Sequence, residues 1–334
     1  MNLEDEVSAK IKPLPEPSLT IPTGDALLPA SSEFAAKFNR ADFQFDHGLA
    51  RHALFDLPSL LALANRIPKH KDFVYWQNGR VKVNDRWEAN PGKRLTLEET
   101  ILGIAKNDSL VILKHSEQDE VFGPMLQEIL QRIFTFVSPG SQNDIVLGES
   151  LIFLNSPKRT TAYHLDLESN FLLQVAGTKL VHVHDCADRA VTPHEELENF
   201  CGGDYNGAVF KAAQADAAHF YQLTPGHGVH FPSTAPHWVE NGEDISISIN
   251  INFDLISIHQ RLKRVYSMNR LMRRVGMQPT PPGSSKLRDA IKAKASVGAN
   301  WLLAGLGKKH LRKDLTAAAY PHWRPIRHTP PETR

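Results

Sequence analysis

The chain reads as a mainly β protein with flanking helices and a helical C-terminal region, and three stretches predict this. From Asp244 to Asp254 the residues alternate almost strictly. Ile245, Ile247, Ile249, Ile251 and Phe253 share one face of an extended strand, and Ser246, Ser248, Asn250 and Asn252 share the other. The isoleucine face needs a packing partner; the polar face suits either solvent or a polar interior. A second β-rich run, Lys179-Leu-Val-His-Val-His184, puts Lys179, Val181 and Val183 on one side and His182 and His184 opposite. Beyond Asp254 the period changes, and Ile258, Leu262, Val265, Met268, Met272 and Val275 recur at three- and four-residue steps, the signature of one apolar helix stripe.

Taken in order, the chain opens with a stretch marked by Pro13, Pro15, Pro17, Pro22 and Pro29, which reads as an extended arm. Phe43 to Pro139 looks like mixed α/β structure. Asp56 precedes a short apolar helix from Leu57 to Ile67 that Pro68 closes. Thr96-Leu-Glu-Glu99 is a capping box opening a helix to about Lys106, because the Thr hydroxyl and the Glu carboxylate can each satisfy the other's backbone N–H. Ser109 to Lys114 reads as a buried strand and Pro124 to Phe134 as a further helix. A last helix begins at Ser284 or Ser285 and runs past Trp301 to stops at Gly305 and Gly307, and the proline-bearing tail from Tyr320 is extended.

Composition narrows the class. The 334 residues, 41% apolar, make room for one large catalytic domain with helical additions or for two closely joined ones. A net charge of +1 gives no global pull toward nucleic acid or an anionic membrane. Cys186 and Cys201 make no disulfide framework and lack metal-type spacing, which suits a reducing compartment. Met-Asn-Leu-Glu-Asp-Glu has no apolar core and is not a secretory signal. No run is apolar enough to span a bilayer. A cytoplasmic location is expected. Arg261, Lys263, Arg264, Arg270, Arg273 and Arg274 cover much of the helix after Ile258. Basic runs on helices are commonly solvated faces. The sequence carries no zinc-finger or helix-turn-helix signature, so nucleic acid is not an expected partner.

The segment Thr161 to Asn252 carries the chemistry. His164 and Asp166 lie two residues apart, so an extended strand sends both side chains to one face, and His237 can arrive from a neighbouring strand. Two imidazoles and one carboxylate on one side of a metal leave other positions open, the donor set of non-heme Fe(II) oxygenases. With sixteen histidines in the chain, that pattern alone decides little. His182-x-His184 is a competing pair, but it points away from the face of Lys179. His219, His227 and His230 lie near the distal ligand in sequence; His230 is read as a hydrogen-bonded structural His, with a place at the pocket mouth as the alternative.

At these residues the sequence resembles the JmjC branch of the cupin-like oxygenases that use Fe(II) and 2-oxoglutarate. The likeness is strongest to the asparaginyl-hydroxylase subgroup and its bacterial cupin-like relatives, and it runs from about Ile145 to Asp254. In that family a Thr stands three residues before the first His, an Asn six after it and a Lys fifteen after it; Thr161, Asn170 and Lys179 match. Pro225-Gly226, Pro232 and His237 follow the family's turn, strand and distal ligand, and Asn252 lies fifteen residues past His237, as the family's last-strand Asn does. His227 stands where the family has Asp after the Pro-Gly turn, and Ser233-Thr234-Ala235-Pro236 are small where relatives carry aromatics.

The resemblance implies a double-stranded β-helix (jelly-roll, cupin-like) core over 141–255, preceded by an arm (1–42) and an α/β part (43–140). A helical region (256–319) and a tail (320–334) follow. It implies His164, Asp166 and His237 as catalytic metal ligands for Fe(II), with Thr161, Lys179, Asn252 and Asn170 contacting the 2-oxoglutarate cosubstrate. Lys179 is the cation for the far carboxylate and Thr161 its hydroxyl donor, a charge-assisted arrangement. With O2, such an enzyme hydroxylates a C–H bond of a protein side chain or small metabolite, releasing succinate and CO2. Relatives pair as homodimers through C-terminal helices. Two other functions compete: a cupin metal enzyme without cosubstrate, which has no use for a buried dicarboxylate anchor, and a non-catalytic metal- or 2-oxoglutarate-binding regulatory protein.

Overall fold

The computed structural model describes residues 21–86 and 95–305. The first twenty residues of the expected arm, the Gly307 stop and the tail from Tyr320 lie outside them. In chain order the strands are β1 (Phe43–Asp46), β2 (Val74–Asn78), β3 (Ser109–Lys114), β4 (Ile145–Asn155), β5 (Thr160–His164), β6 (Ser169–Ala176), β7 (Lys179–Val183), β8 (His219–Leu223), β9 (His227–Phe231), β10 (His237–Asn241) and β11 (Ser246–Leu255). They build two antiparallel sheets, one ordered β1-β9-β6-β11-β4-β3-β2 and the other β5-β10-β7-β8. From β4 onward the chain passes back and forth between the sheets, so that β4, β6, β9 and β11 face β5, β7, β8 and β10. That winding is the double-stranded β-helix, or jelly roll. β2 and β3 widen its larger sheet on one edge and β1 on the other.

β11 shows why the alternating pattern folds this way. Ile247, Ile249, Ile251 and Phe253 join the main apolar core with Phe171, Leu173 and Val175 of β6 and Ile152 and Leu154 of β4. This is the outer face of the larger sheet, and the front helices cover it. These are α1 (Ser32–Lys37), α2 (Leu57–Arg66), α3 (Leu97–Leu102) and α4 (Gly123–Phe136). The polar face of β11 therefore turns into the barrel. Asp56 caps α2 by accepting from Ser59 N–H at 2.8 Å. The Thr96–Glu99 capping box is formed, but α3 is shorter than the spacing predicts, because Gly103 ends it with its N–H bonded back to Glu99.

One expectation is corrected here. The second part of the proline-marked arm is not extended: Leu27 and Leu28 are fully buried, and α1 delivers Phe34 and Phe38 to the core. Phe34 stacks on Phe171 at 5.6 Å, and Phe171 also meets Phe38, Phe43, Phe45 and Phe253. Phe171→Ala removes the hub of this cluster and should cost about 3–5 kcal/mol in denaturant unfolding. A loss under 1 kcal/mol would show that the cluster is not a keystone of the core.

Two short helices, α5 (Pro139–Gln142) and α6 (His194–Cys201), and the C-terminal pair, α7 (Lys263–Arg274) and α8 (Lys286–Gly305), complete the described residues. A π-type turn at Ser257–Leu262 leads into α7. The first part of the apolar stripe read from Ile258 to Val275 packs on the chain itself, with Val265 1% exposed and Leu262 and Ile258 against the cores, whereas Val275 at its end is 69% exposed. Two of the basic residues are held locally, Arg273 by Glu198 at 2.7 Å and by Glu195 at 2.9 Å, and Arg270 by the carbonyl of Gly202. Both cysteines are free. Among the described residues no helix is long and apolar enough to cross a membrane.

Candidate active site

β5 and β10 lie side by side in the smaller sheet with His237 directly opposite His164. Asp166 follows two residues after β5. One donor atom from each of His164, Asp166 and His237 lies within 4.8 Å of the other two. The His164 Nε2 to Asp166 Oδ1 distance is 3.9 Å and that from His237 Nε2 to Asp166 Oδ2 is 3.7 Å. Both rings are oriented from behind: His164 Nδ1 donates to the carbonyl of Ala162 at 2.8 Å and His237 Nδ1 to that of Ala235 at 3.0 Å. A carbonyl can only accept, so each Nδ1 carries the proton and each Nε2 presents a lone pair to the shared centre. Burial, then the neighbouring His164, bring the His237 pKa down to about 4, which keeps the ring in the neutral form a metal needs.

The loop carrying Asp166 is tied to the loop preceding His237. Thr234 N–H donates to the Asp166 carbonyl at 2.7 Å and Ser233 Oγ to the Leu167 carbonyl at 2.6 Å. Thr234 adopts φ +62°, which a β-branched residue takes only under strong local constraint. On the strand behind, Asn170 Nδ2 donates to Asp166 Oδ2 at 3.3 Å and to the Glu168 carbonyl, while its own oxygen accepts from Asn250 at 3.1 Å. Asn170 thus already holds the Asp166 carboxylate. Asn252 stands between Asn170 and Glu149 in register, and its buried Oδ1 has no partner.

Lys179 enters the barrel from β7, 3% exposed. Its Nζ donates to Ser248 Oγ of β11 at 2.7 Å and sits 5.9 Å from the Phe153 ring centre. Among the described residues no carboxylate is paired with it, and burial lowers its pKa to about 7. Strict alternation would send Thr161, three residues before His164, to the outer face. A bulge prevents this: His237 pairs with His164 and Val239 with Thr161, so Ala162 and Tyr163 of β5 together oppose Trp238 of β10. Val239 packs in the interior cluster with Leu172, Val181 and Val229, and Thr161 shares its face.

His182 and His184 lie outside the barrel, His182 stacked on Trp238 at 4.1 Å, as the alternation predicts. His230 is structural, fully buried between Phe171 and Phe38 with its ring bonded to the carbonyl of Asn170 and the N–H of Asn39. Sequence reasoning did not single out Ser248, although its place on the polar face of β11 was a usable signal. It also passed over Glu149, Glu168 and Asp254, acids from separate stretches that gather beside the triad. Desolvation, followed by the charges of Asp254, Asp166 and Glu149, pushes the Glu168 carboxyl well above the usual range. Desolvation also raises that of Glu149. Such acid crowding is offset when a cation is present.

No family model matches the chain, and no curated protein does. Among solved structures the chain is similar to YcfD, a ribosomal oxygenase from Escherichia coli, at 14% identity and a TM-score of 0.46, over 78% of this chain and 60% of that one. The same protein in complex with cobalt and 2-oxoglutarate gives 14% identity and a TM-score of 0.43, over 75% and 57%. A cupin superfamily protein from Desulfitobacterium hafniense gives 9% and 0.21, over 32% and 67%. The chain thus spans less than two thirds of the length of the ribosomal oxygenase it matches, 60% in the first comparison.

Proposed function

We propose that this chain is an Fe(II)- and 2-oxoglutarate-dependent oxygenase that hydroxylates a C–H bond of a protein side chain or small metabolite. The observation that carries the reading is a pairing of two features inside one barrel. Three donor atoms converge within 4.8 Å, and a buried ammonium waits without an acid partner. A cupin metal enzyme without cosubstrate accounts for the first and leaves the second unexplained. The donor set fits a divalent metal: two imidazoles whose Nδ1 protons are held by backbone carbonyls, and one carboxylate, in an acid-rich pocket.

His164, Asp166 and His237 would hold the metal. When bound, Fe(II) supplies activation of O2, coupled to conversion of 2-oxoglutarate into succinate and CO2 with transfer of one oxygen atom to substrate. The chain's own residues do the rest. Lys179 binds the far carboxylate, and Ser248 and Thr161 offer hydroxyls beside it. Asn170 fixes the Asp166 carboxylate, and Asn252 offers its amide to the metal-proximal end of the cosubstrate. Leu172, Val181, Val229 and Val239 exclude water from the interior.

Purified full-length protein supplied with Fe(II), ascorbate and 2-oxoglutarate should form succinate even without its substrate. Binding of metal and 2-oxoglutarate with no turnover under any substrate mixture would favour the regulatory alternative, and binding of neither would overturn the reading. Self-association through the C-terminal helices belongs to the same proposal. On α8 Leu287 is 71% and Ile291 57% exposed, four residues apart on one face. The double change Leu287→Glu with Ile291→Glu should halve the mass seen by light scattering; an unchanged mass removes α8 from the interface.

A further inference from the structure

Arg159, in the turn between β4 and β5, is 4% exposed, yet among the described residues no acid is bonded to it. Its Nη1 donates to the backbone carbonyls of Gly79 and Asp108. Its Nε is buried and has no partner. Desolvation lowers its pKa to about 10, and Asp108, an acid acting on it from nearby, is already bridged to exposed Arg80 at 3.4 Å. A guanidinium in this position carries a charge only partly offset from a distance and an unused donor, which natural structures rarely leave so.

The same side chain lines a shallow cleft, open on one side and with about 10 Å³ of room for one water-sized group such as a ligand oxygen, together with Gln77, Arg86, Thr160 and Thr161. Leu110, Val81 and Ala162 supply its apolar wall. Arg86 at the rim is 70% exposed on its side chain and only loosely bridged to Asp204, at 3.7 Å. Among the described residues the lining therefore offers two guanidinium groups, an amide and the Thr160 hydroxyl, with no carboxylate, while Thr161 borders the Lys179 side. Lys179 is a separate cation: its ammonium goes to Ser248, and Asn241 stands between the two residues, opposite Lys179 in register while its N–H and Nδ2 bind the Arg159 carbonyl.

We propose that the Arg159 cleft is a second oxyanion site, taking the carboxylate or phosphate group of a small molecule, distinct from the Lys179 anchor. Guanidinium forks suit such planar or tetrahedral oxyanions better than an ammonium does. The site uses Arg159 as the buried charge, Arg86 as the mobile outer one, and Gln77 and Thr160 as neutral donors. Neither metal nor turnover is needed for binding, so the outcome stands apart from the oxygenase reading.

The test is calorimetric titration of the full chain with inorganic phosphate and, in a second arm, succinate. Phosphate, succinate or both should bind the Lys179→Met variant, and the arm that does so identifies the oxyanion. That binding should weaken by about tenfold or more in Arg159→Met. It should weaken several-fold in Arg86→Ala, a rim change that leaves the fold alone and decides the matter should Arg159→Met not fold. Absence of binding of both anions to Lys179→Met, or indifference to Arg86→Ala, would each overturn the second site and make Arg159 a strut between two carbonyls.

Discussion

Asp166→Ala should give a folded protein that takes up no divalent metal and forms no succinate. The side chain is the one acid among the three convergent donors, and the two imidazoles left behind offer neither charge nor a third point of attachment. Loss of the fold is not expected. The Asp166 side chain is 30% exposed, its backbone carbonyl still accepts from Thr234, and deleting one charge from the acid group relieves Glu168. The apoprotein should therefore stay within about 1 kcal/mol of the parent. A metal supplied at a hundredfold excess over its dissociation constant stabilises the parent by about 2.7 kcal/mol, roughly 5 °C in melting temperature, and should stabilise the variant not at all. Stoichiometric metal in the variant by elemental analysis, or an unchanged melting rise, would remove Asp166 from the centre.

The residues that were easy to read in the sequence are those whose neighbours along the chain report their surroundings. β11 is legible because one of its faces meets the apolar core and the other the polar interior, so burial writes a period of two into the residues themselves. The Thr96–Glu99 cap and the Asp56 cap are equally local. What escaped depends on register between distant segments. Thr161 reaches the interior only through the bulge opposite Val239, which no period of two announces. Ser248 rather than Ser246 or Asn250 meets Lys179 because of how the two sheets face each other. Glu149 and Asp254 approach the triad only once β4 pairs with β11 across ten residue pairs. In residues 21–42 Pro22 and Pro29 outweighed the single helical step from Phe34 to Phe38, a run too short to establish a period, and both rings bury themselves through tertiary contacts. Arg159 carries no motif; only its burial without an acid marks it.

Affinity for 2-oxoglutarate should fall steeply as pH rises above 7, and Lys179 should be the cause. In the empty barrel burial lowers its pKa from 10.5 to about 7, and a carboxylate beside the ammonium favours the charged form and must raise it again. Below pH 7 the lysine is already protonated and affinity is flat. Above it, binding must draw a proton from solution, and each pH unit costs about 1.4 kcal/mol, close to tenfold, until the pKa of the complex is reached. The carboxylates of 2-oxoglutarate ionise near pH 4 and contribute no slope in this range. The same depression has a second sign to check: between pH 7 and 10.5 the unfolded chain holds a proton on this lysine that the native chain lacks, so the ligand-free protein should gain stability as pH rises there. Calorimetry at pH 6.5, 7.5 and 8.5 in buffers of different ionisation heat would report both the affinity and the proton taken up. Lys179→Arg keeps its charge throughout and should flatten the curve, which separates the lysine from any loss of metal at high pH. An affinity independent of pH in the parent, or the same slope in Lys179→Arg, would show that the far carboxylate rests on some other cation.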